Sequence, residues 1–158
     1  MELLAALDAQ RRHVLGIVEG LDEEALHRPV LPSGWTFLGL INHLALDVER
    51  FWFRAVVAGQ RTAIAELDAS GDAWKVGTDM PAHRVLDDYR RQIDLANAVI
   101  TTTAEDAAPA WWPGDQFGDW RMHTHREVLL HAITETACHA GHLDAARELL
   151  DGRQWLAI

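Results

Sequence analysis

Residues 124–152 read THREVLLHAITETACHAGHLDAARELLDG, and this stretch decides the fold class. Thr124 and Glu127 stand three apart at its start, the spacing of a capping box. In that motif the threonine oxygen takes one orphan backbone N–H and the glutamate reaches back to another. Gly152 stands at the other end, where a left-handed residue closes a helix at no steric cost. The spacing between them predicts one helix ending at Leu150 or Asp151. On a wheel of ~100° per residue measured from His131, Val128, Ala132, Thr136, Leu143, Ala146 and Leu150 fall between ~60° and ~140°. That apolar arc must pack against something. Asp144, Glu148 and Arg153 read as the solvated side. Glu135, His139 and His142 fall at ~40°, ~80° and ~20°, beside and partly within the arc that packs.

The same period recurs in three other segments, and none sustains the alternation of a strand. The first runs from about Glu2 to Glu19, with Leu4, Leu7, Val14, Leu15 and Val18 on one face and Gly20 as its stop. The stretch LDEEALHRPVLPSG (21–34) reads as a connection, broken by Pro29, Pro32 and Gly34. Thr36 opens a second helix as its N-cap, and that helix runs to about Ala58, before Gly59. Thr78 or Asp79 is expected to cap the third, with Pro81 in its first turn, where a missing N–H is harmless. Leu86, Tyr89, Ile93, Ala96 and Ile100 recur along it at threes and fours. The pattern predicts an all-α chain, a four-helix bundle forming a single domain over residues 1–158. A long Trp- and Gly-rich loop, AEDAAPAWWPGDQFGDWRMH (104–123), separates helices three and four.

Composition excludes several classes. A formal net charge of −10 over 158 residues repels phosphate backbones, so nucleic acid is not an expected partner. No run approaches the ~20 apolar residues that span a bilayer, and the first residues lack the pattern of a signal peptide. Neither a membrane nor a secreted setting is therefore expected. The one cysteine, Cys138, excludes an internal disulfide framework and suits a reducing cytoplasm. Nine histidines and seven tryptophans in a chain this short call for a use.

The second helix repeats the conflict seen in the fourth. His43 and Asp47 lie one turn apart, flanking an arc of Leu40, Leu44, Val48, Phe51 and Ala55. Two helices thus carry ionisable groups beside apolar faces, and such groups need partners. A divalent cation held by His43, Glu135 and His139 is one solution, since Glu135 and His139 project together across one turn. Three mixed N and O ligands leave positions open for water or substrate. An ion pair between Glu135 and its neighbours is the plainer alternative. A paired-iron bundle requires two Glu-x-x-His pairs, and only Glu24–His27 fits.

Two blocks, LPSGWTFLGLINHLALDVERFWF (31–53) and LLHAITETACHAGHLDAARELLDG (129–152), carry a family resemblance. Together they resemble the DinB/YfiT-like superfamily of metal-dependent four-helix proteins over nearly the whole chain. The sequence is most similar to an actinobacterial branch that includes the N-terminal domain of mycothiol-dependent maleylpyruvate isomerase. The resemblance implies a divalent metal, often zinc or nickel, on three protein ligands. Matched to this chain, these are His43 within NHL and the pair Glu135 and His139. His142 matches a position that is often glutamine, and with Asp47 it is a candidate to support the ligands or relay a proton. The isomerase has a further C-terminal domain without counterpart here, so its specific activity is not expected.

Relatives also imply mycothiol or another low-molecular-weight thiol such as bacillithiol as cosubstrate. That is chemically sensible, because a metal-bound thiolate is the nucleophile a free thiol is not near neutral pH. The expected activity is a metal-dependent thiol S-transferase or isomerase-like reaction on small electrophiles. A metal-dependent hydrolase and a non-enzymatic, stress-associated metal-binding scaffold are the alternatives. A homodimer is implied by analogy. Among other residues, Cys138 is expected to be a small buried side chain. Trp35 and Trp52 are expected in the core, and His123 and His125 in solvent. Trp111, Trp112 and Trp120 are expected either to line a pocket over the metal or to close the bundle end. Gly141 is expected to permit a close helix approach.

Overall fold

The structure, a computed structural model, describes residues 2–69, 71–114 and 116–155. The chain is all-α, with six helical rods and no strand among the described residues. α1 spans Glu2–Ile17 and α2 Glu23–His27. α3 begins at Phe37–His43 and continues unbroken as a π-wound segment, Leu44–Val57. α4 spans Arg61–Ala69, α5 Ala82–Thr102 and α6 His125–Asp151.

The expected caps on α3 and α6 form. Thr36 accepts a hydrogen bond from Gly39 N at 3.0 Å. Thr124 and Glu127 complete both halves of the capping box, and Gly152 closes α6 in the left-handed conformation at φ 77°. The start of α5 differs from expectation. Neither Thr78 nor Asp79 caps it; Pro81 holds the cap position with no side-chain hydrogen bond. Its first free donor, Ala82 N–H, is taken instead by both carboxylate oxygens of Glu23, each at 3.0 Å. Glu23 belongs to α2, a helix that falls in the stretch expected to be a connection, with Asp22 as its N-cap.

α1 packs along α6, α6 along the π-wound part of α3, and α3 along α5. Leu7, Val14, Phe37, Leu40, Phe53, Tyr89, Ala96, Leu129 and Leu143 meet in the middle, each 2% exposed or less. The π-wound segment buries residues nearly all round, from Val48 and Phe51 to Glu49, Arg50 and Arg54. Each buried charge has a partner. Arg11 of α1 forms a two-pronged pair with Glu49, its Nε 2.7 Å from Glu49 Oε1, and also reaches Asp8 and Asn97. Arg54 donates to Gln92 at 2.9 Å. Arg147 of α6 satisfies the end of α1 by donating to the carbonyls of Ile17 and Glu19.

Two loops lie against α3. Gly39 lets the 72–75 turn approach, since a Cβ there would overlap the Trp74 carbonyl oxygen. Asn42 then donates to Ala73 O at 2.7 Å. The Trp-rich loop after α5 is pinned to the far end of the rod by Ala110 N to Val57 O and Trp111 N to Val56 O.

Candidate metal centre

His43 is the last residue of the α-wound part of α3, and Glu135 and His139 occupy successive turns of α6. Packing of α6 on α3 brings one ligand atom from each to within 4.8 Å of the others. His43 Nε2 lies 3.4 Å from Glu135 Oε1. That separation is close to the ~3.3 Å between ligand atoms of a tetrahedral zinc with bonds of ~2.0–2.1 Å. The imidazoles of His43 and His139 meet edge to face at 5.0 Å.

Each member is held from behind. His43 Nδ1 donates to Asp47 Oδ2 at 2.9 Å, which holds the ring with Nε2 turned toward Glu135. Trp74, carried by the turn that Gly39 admits, stacks on the His43 ring at 4.3 Å and 19°. Glu135 Oε2 is 3.0 Å from His131 Nε2, so Oε1 is the oxygen turned toward His43. Behind His139 stands His142, with Nδ1 atoms 3.4 Å apart.

The electrostatics fit a cation. Burial opposes charge on His43, but the carboxylates of Asp47 and Glu135 beside it outweigh that and push its pKa up to about 9. Burial raises the Glu135 pKa, yet His131 and His43 together hold it at about 2. Burial and the neighbouring His43 charge lower His139 to about 4. The two carboxylates therefore favour positive charge at His43, a place that a cation at Nε2 would take over from the proton, while His139 stays neutral. His43 Nε2 is buried and has no well-formed hydrogen bond among the described residues, the kind of orphaned atom that asks for an explanation. An oxygen, an orphaned imidazole nitrogen and a second neutral imidazole form a donor set suited to zinc or nickel.

The cluster borders a cavity of about 580 Å³ whose lining includes Asp47, His131, Glu135 and His139 together with Phe51, Trp52, Phe117 and Trp120. A family model described as Mycothiol-S-transferase matches residues 2–152, all but the ends of the chain. The chain belongs to the mycothiol S-transferase family. This is a DinB/YfiT-like family. No curated protein and no solved structure matches the chain.

In this mycothiol S-transferase family member, several expectations are corrected. Cys138 is exposed and lines the cavity; its small size suggested a core position that the turn of α6 does not give it. His125 is buried at 1%, beneath the end of the Trp-rich loop, while His123 is exposed as expected. Asp144 is buried rather than solvated, because the chain after Gly152 folds back and Trp155 N donates to it at 2.6 Å. Gly141 faces open space and admits no neighbouring helix among the described residues. Trp52 is core as expected, whereas Trp35 is only partly buried and packs on the outside of the core.

The Trp-rich loop divides its residues. Trp120 lines the cavity, whereas Trp111 and Trp112 pack behind it on Phe51 and Trp52. Two contributors escaped the sequence reading. His131 sits four residues before Glu135, so its pairing followed the same spacing rule that joined Glu135 to His139. Trp74 had no local signal at all; only the approach of its turn to Gly39 puts it on His43.

Proposed function

We propose that this chain is a metal-dependent thiol S-transferase. On this reading it is one four-helix-bundle domain that joins a mycothiol-type thiol to small electrophiles. The observation that carries it is the convergence of His43, Glu135 and His139 within 4.8 Å, beside a cavity of a size that takes small-molecule ligands. The family match supports thiol transfer over the hydrolase and scaffold readings. A single cysteine suits a reducing, cytoplasmic setting; among the described residues no helix is long and apolar enough to cross a membrane.

His43, Glu135 and His139 would hold the ion, zinc or nickel by their donor set. When bound, such an ion favours the thiolate over the thiol at neutral pH. The protein's own groups do the rest. Asp47 keeps the His43 proton on Nδ1. Glu135 holds His131 by Nε2, which leaves His131 Nδ1 to take the thiol proton and pass it to solvent. In a substitution, the sulfur–carbon bond forms and the carbon–leaving group bond breaks. The leaving group departs with its electron pair, and no redox partner is required.

The test is elemental analysis joined to turnover. Purified protein should carry about one divalent ion per chain, and His43→Ala should lose most of it. The loaded protein should conjugate mycothiol to an alkyl halide faster than the thiol alone reacts. Full metal retention in His43→Ala removes the centre; ester or amide cleavage without thiol favours a hydrolase.

A further inference from the structure

We propose that the cavity beside the metal cluster is a binding site for uncharged, flat aromatic acceptors, walled by Trp52, Phe117 and Trp120. The word acceptor rests on the thiol-transfer reading; the binding preference does not.

The walls are aromatic and fixed to different degrees. Trp52 belongs to the core at 4% exposure. Phe117 lies nearly parallel to it, with centroids 5.7 Å apart and planes at 21°. Trp120 meets both rings nearly at right angles, at 6.2 Å and 5.5 Å, and is 47% exposed. A tryptophan left half in solvent at a cavity wall is apolar surface that a planar ligand can cover. Gly114 and Gly118, both at positive φ, bracket the turn that presents Phe117, so this wall is shaped by the main chain.

The same rings position His131. Trp52 meets its imidazole at 4.8 Å and Trp120 at 5.7 Å. A ring held by these walls therefore lies next to His131 and, one turn further along α6, Glu135. The reacting carbon of such a ligand accepts the sulfur while its leaving group departs as an anion, and the thiol proton passes to solvent.

Charge sets the second half of the preference. Asp47 and Glu135 line the cavity, and among the described residues no lysine or arginine does. A divalent ion would be offset by these two carboxylates and the thiolate. An anionic substrate then finds no basic side chain to pair with, and burying an unpaired charge is disfavoured.

The experiment uses the full chain as purified, without thiol, and three probes: 2-naphthalenemethanol, 2-naphthoate and cyclohexylmethanol. Binding is read by calorimetry and by protection of Cys138, the single cysteine and a cavity residue, from maleimide labelling followed by intact mass. The neutral aromatic should bind at least tenfold tighter than either comparison probe and slow the labelling. Trp120→Ala, at a half-exposed position, should weaken it about tenfold, with helical content unchanged by circular dichroism. The His43→Ala variant should keep the preference, which separates it from attraction to an ion. Equal or tighter binding of naphthoate or cyclohexylmethanol, or an unchanged affinity in Trp120→Ala, overturns the proposal. Because no thiol is present, loss of this binding leaves the transferase reading standing, and failure of thiol transfer leaves this binding standing.

Discussion

Asp47 Oδ2 lies 2.9 Å from His43 Nδ1 and makes the buried imidazole point its other nitrogen at Glu135. Carboxylates in this position orient metal-binding histidines, and their loss costs roughly 10–100-fold in metal affinity. Asp47 is itself half in solvent, so its replacement leaves little buried strain. Asp47→Asn should therefore weaken zinc or nickel binding by about that factor while melting near the parent temperature in chelator. Competition against a chromophoric chelator measures it. An unchanged affinity would show that His43 is oriented by Trp74 alone.

The pair Arg11–Glu49 ties α1 to α3 where both side chains are at most 3% exposed. Removing one partner strands the other charge away from water, at a cost of about 3–5 kcal/mol. Replacing both with apolar residues of similar size removes the stranded charge. Arg11→Met alone and Glu49→Leu alone should each unfold at much lower denaturant than the parent, and the double variant should recover most of the loss. Additive losses in the double variant would mean the pair contributes little as a pair.

Gly39 lets a backbone carbonyl occupy the place where every other residue keeps a Cβ. Gly39→Ala must push the 72–75 turn outward, and with it Trp74 from the face of His43. Overpacking of this kind costs about 1–3 kcal/mol. The specific signature is a shift in the His43 ring resonances together with weaker metal binding. Loss of stability with the His43 environment intact would assign Gly39 to packing alone.

Much of this fold is legible because its decisive signals are local. The Thr124–Glu127 box, the Thr36 cap and Gly152 each act within one turn of chain, and each forms as the spacing requires. The neighbourhood of Glu135 and His139 was readable for the same reason, the two being one turn apart on α6, whereas His43 joins them only through packing of α6 on α3. What was not legible depends on distant chain. The α5 cap comes from Glu23 of α2, and Asp144 is buried by the chain that follows its own helix. The π winding of Leu44–Val57 adds a residue to each hydrogen-bonded turn, which a period of 3.6 cannot reveal. Cys138 was misplaced for a different reason: residue type suggested burial where the wheel, followed strictly, puts it ~80° or more from the apolar arc, outside the core.

His125 opens α6 beneath the Trp-rich loop, 1% exposed and edge-on to Phe53 at 6.4 Å. Burial disfavours its imidazolium and lowers its pKa below the ordinary value, although the carbonyls of Ala104 and Thr103 favour the charge. The unfolded chain therefore binds this proton more readily than the folded one. The resulting stability is fully present above the unfolded pKa of ~6.5 and drains away as the pH falls below it, by at most about 1.4 kcal/mol per pH unit. A His125→Leu variant has no proton to bind there in either state. Measured in chelator between pH 7.5 and 5, the parent should lose melting temperature more steeply than the variant, the two curves separating only below about 6.5. His139 and the other histidines titrate in both proteins and cancel in the difference. Parallel curves across that range would mean that protonated His125 is accommodated in the fold as well as the neutral ring.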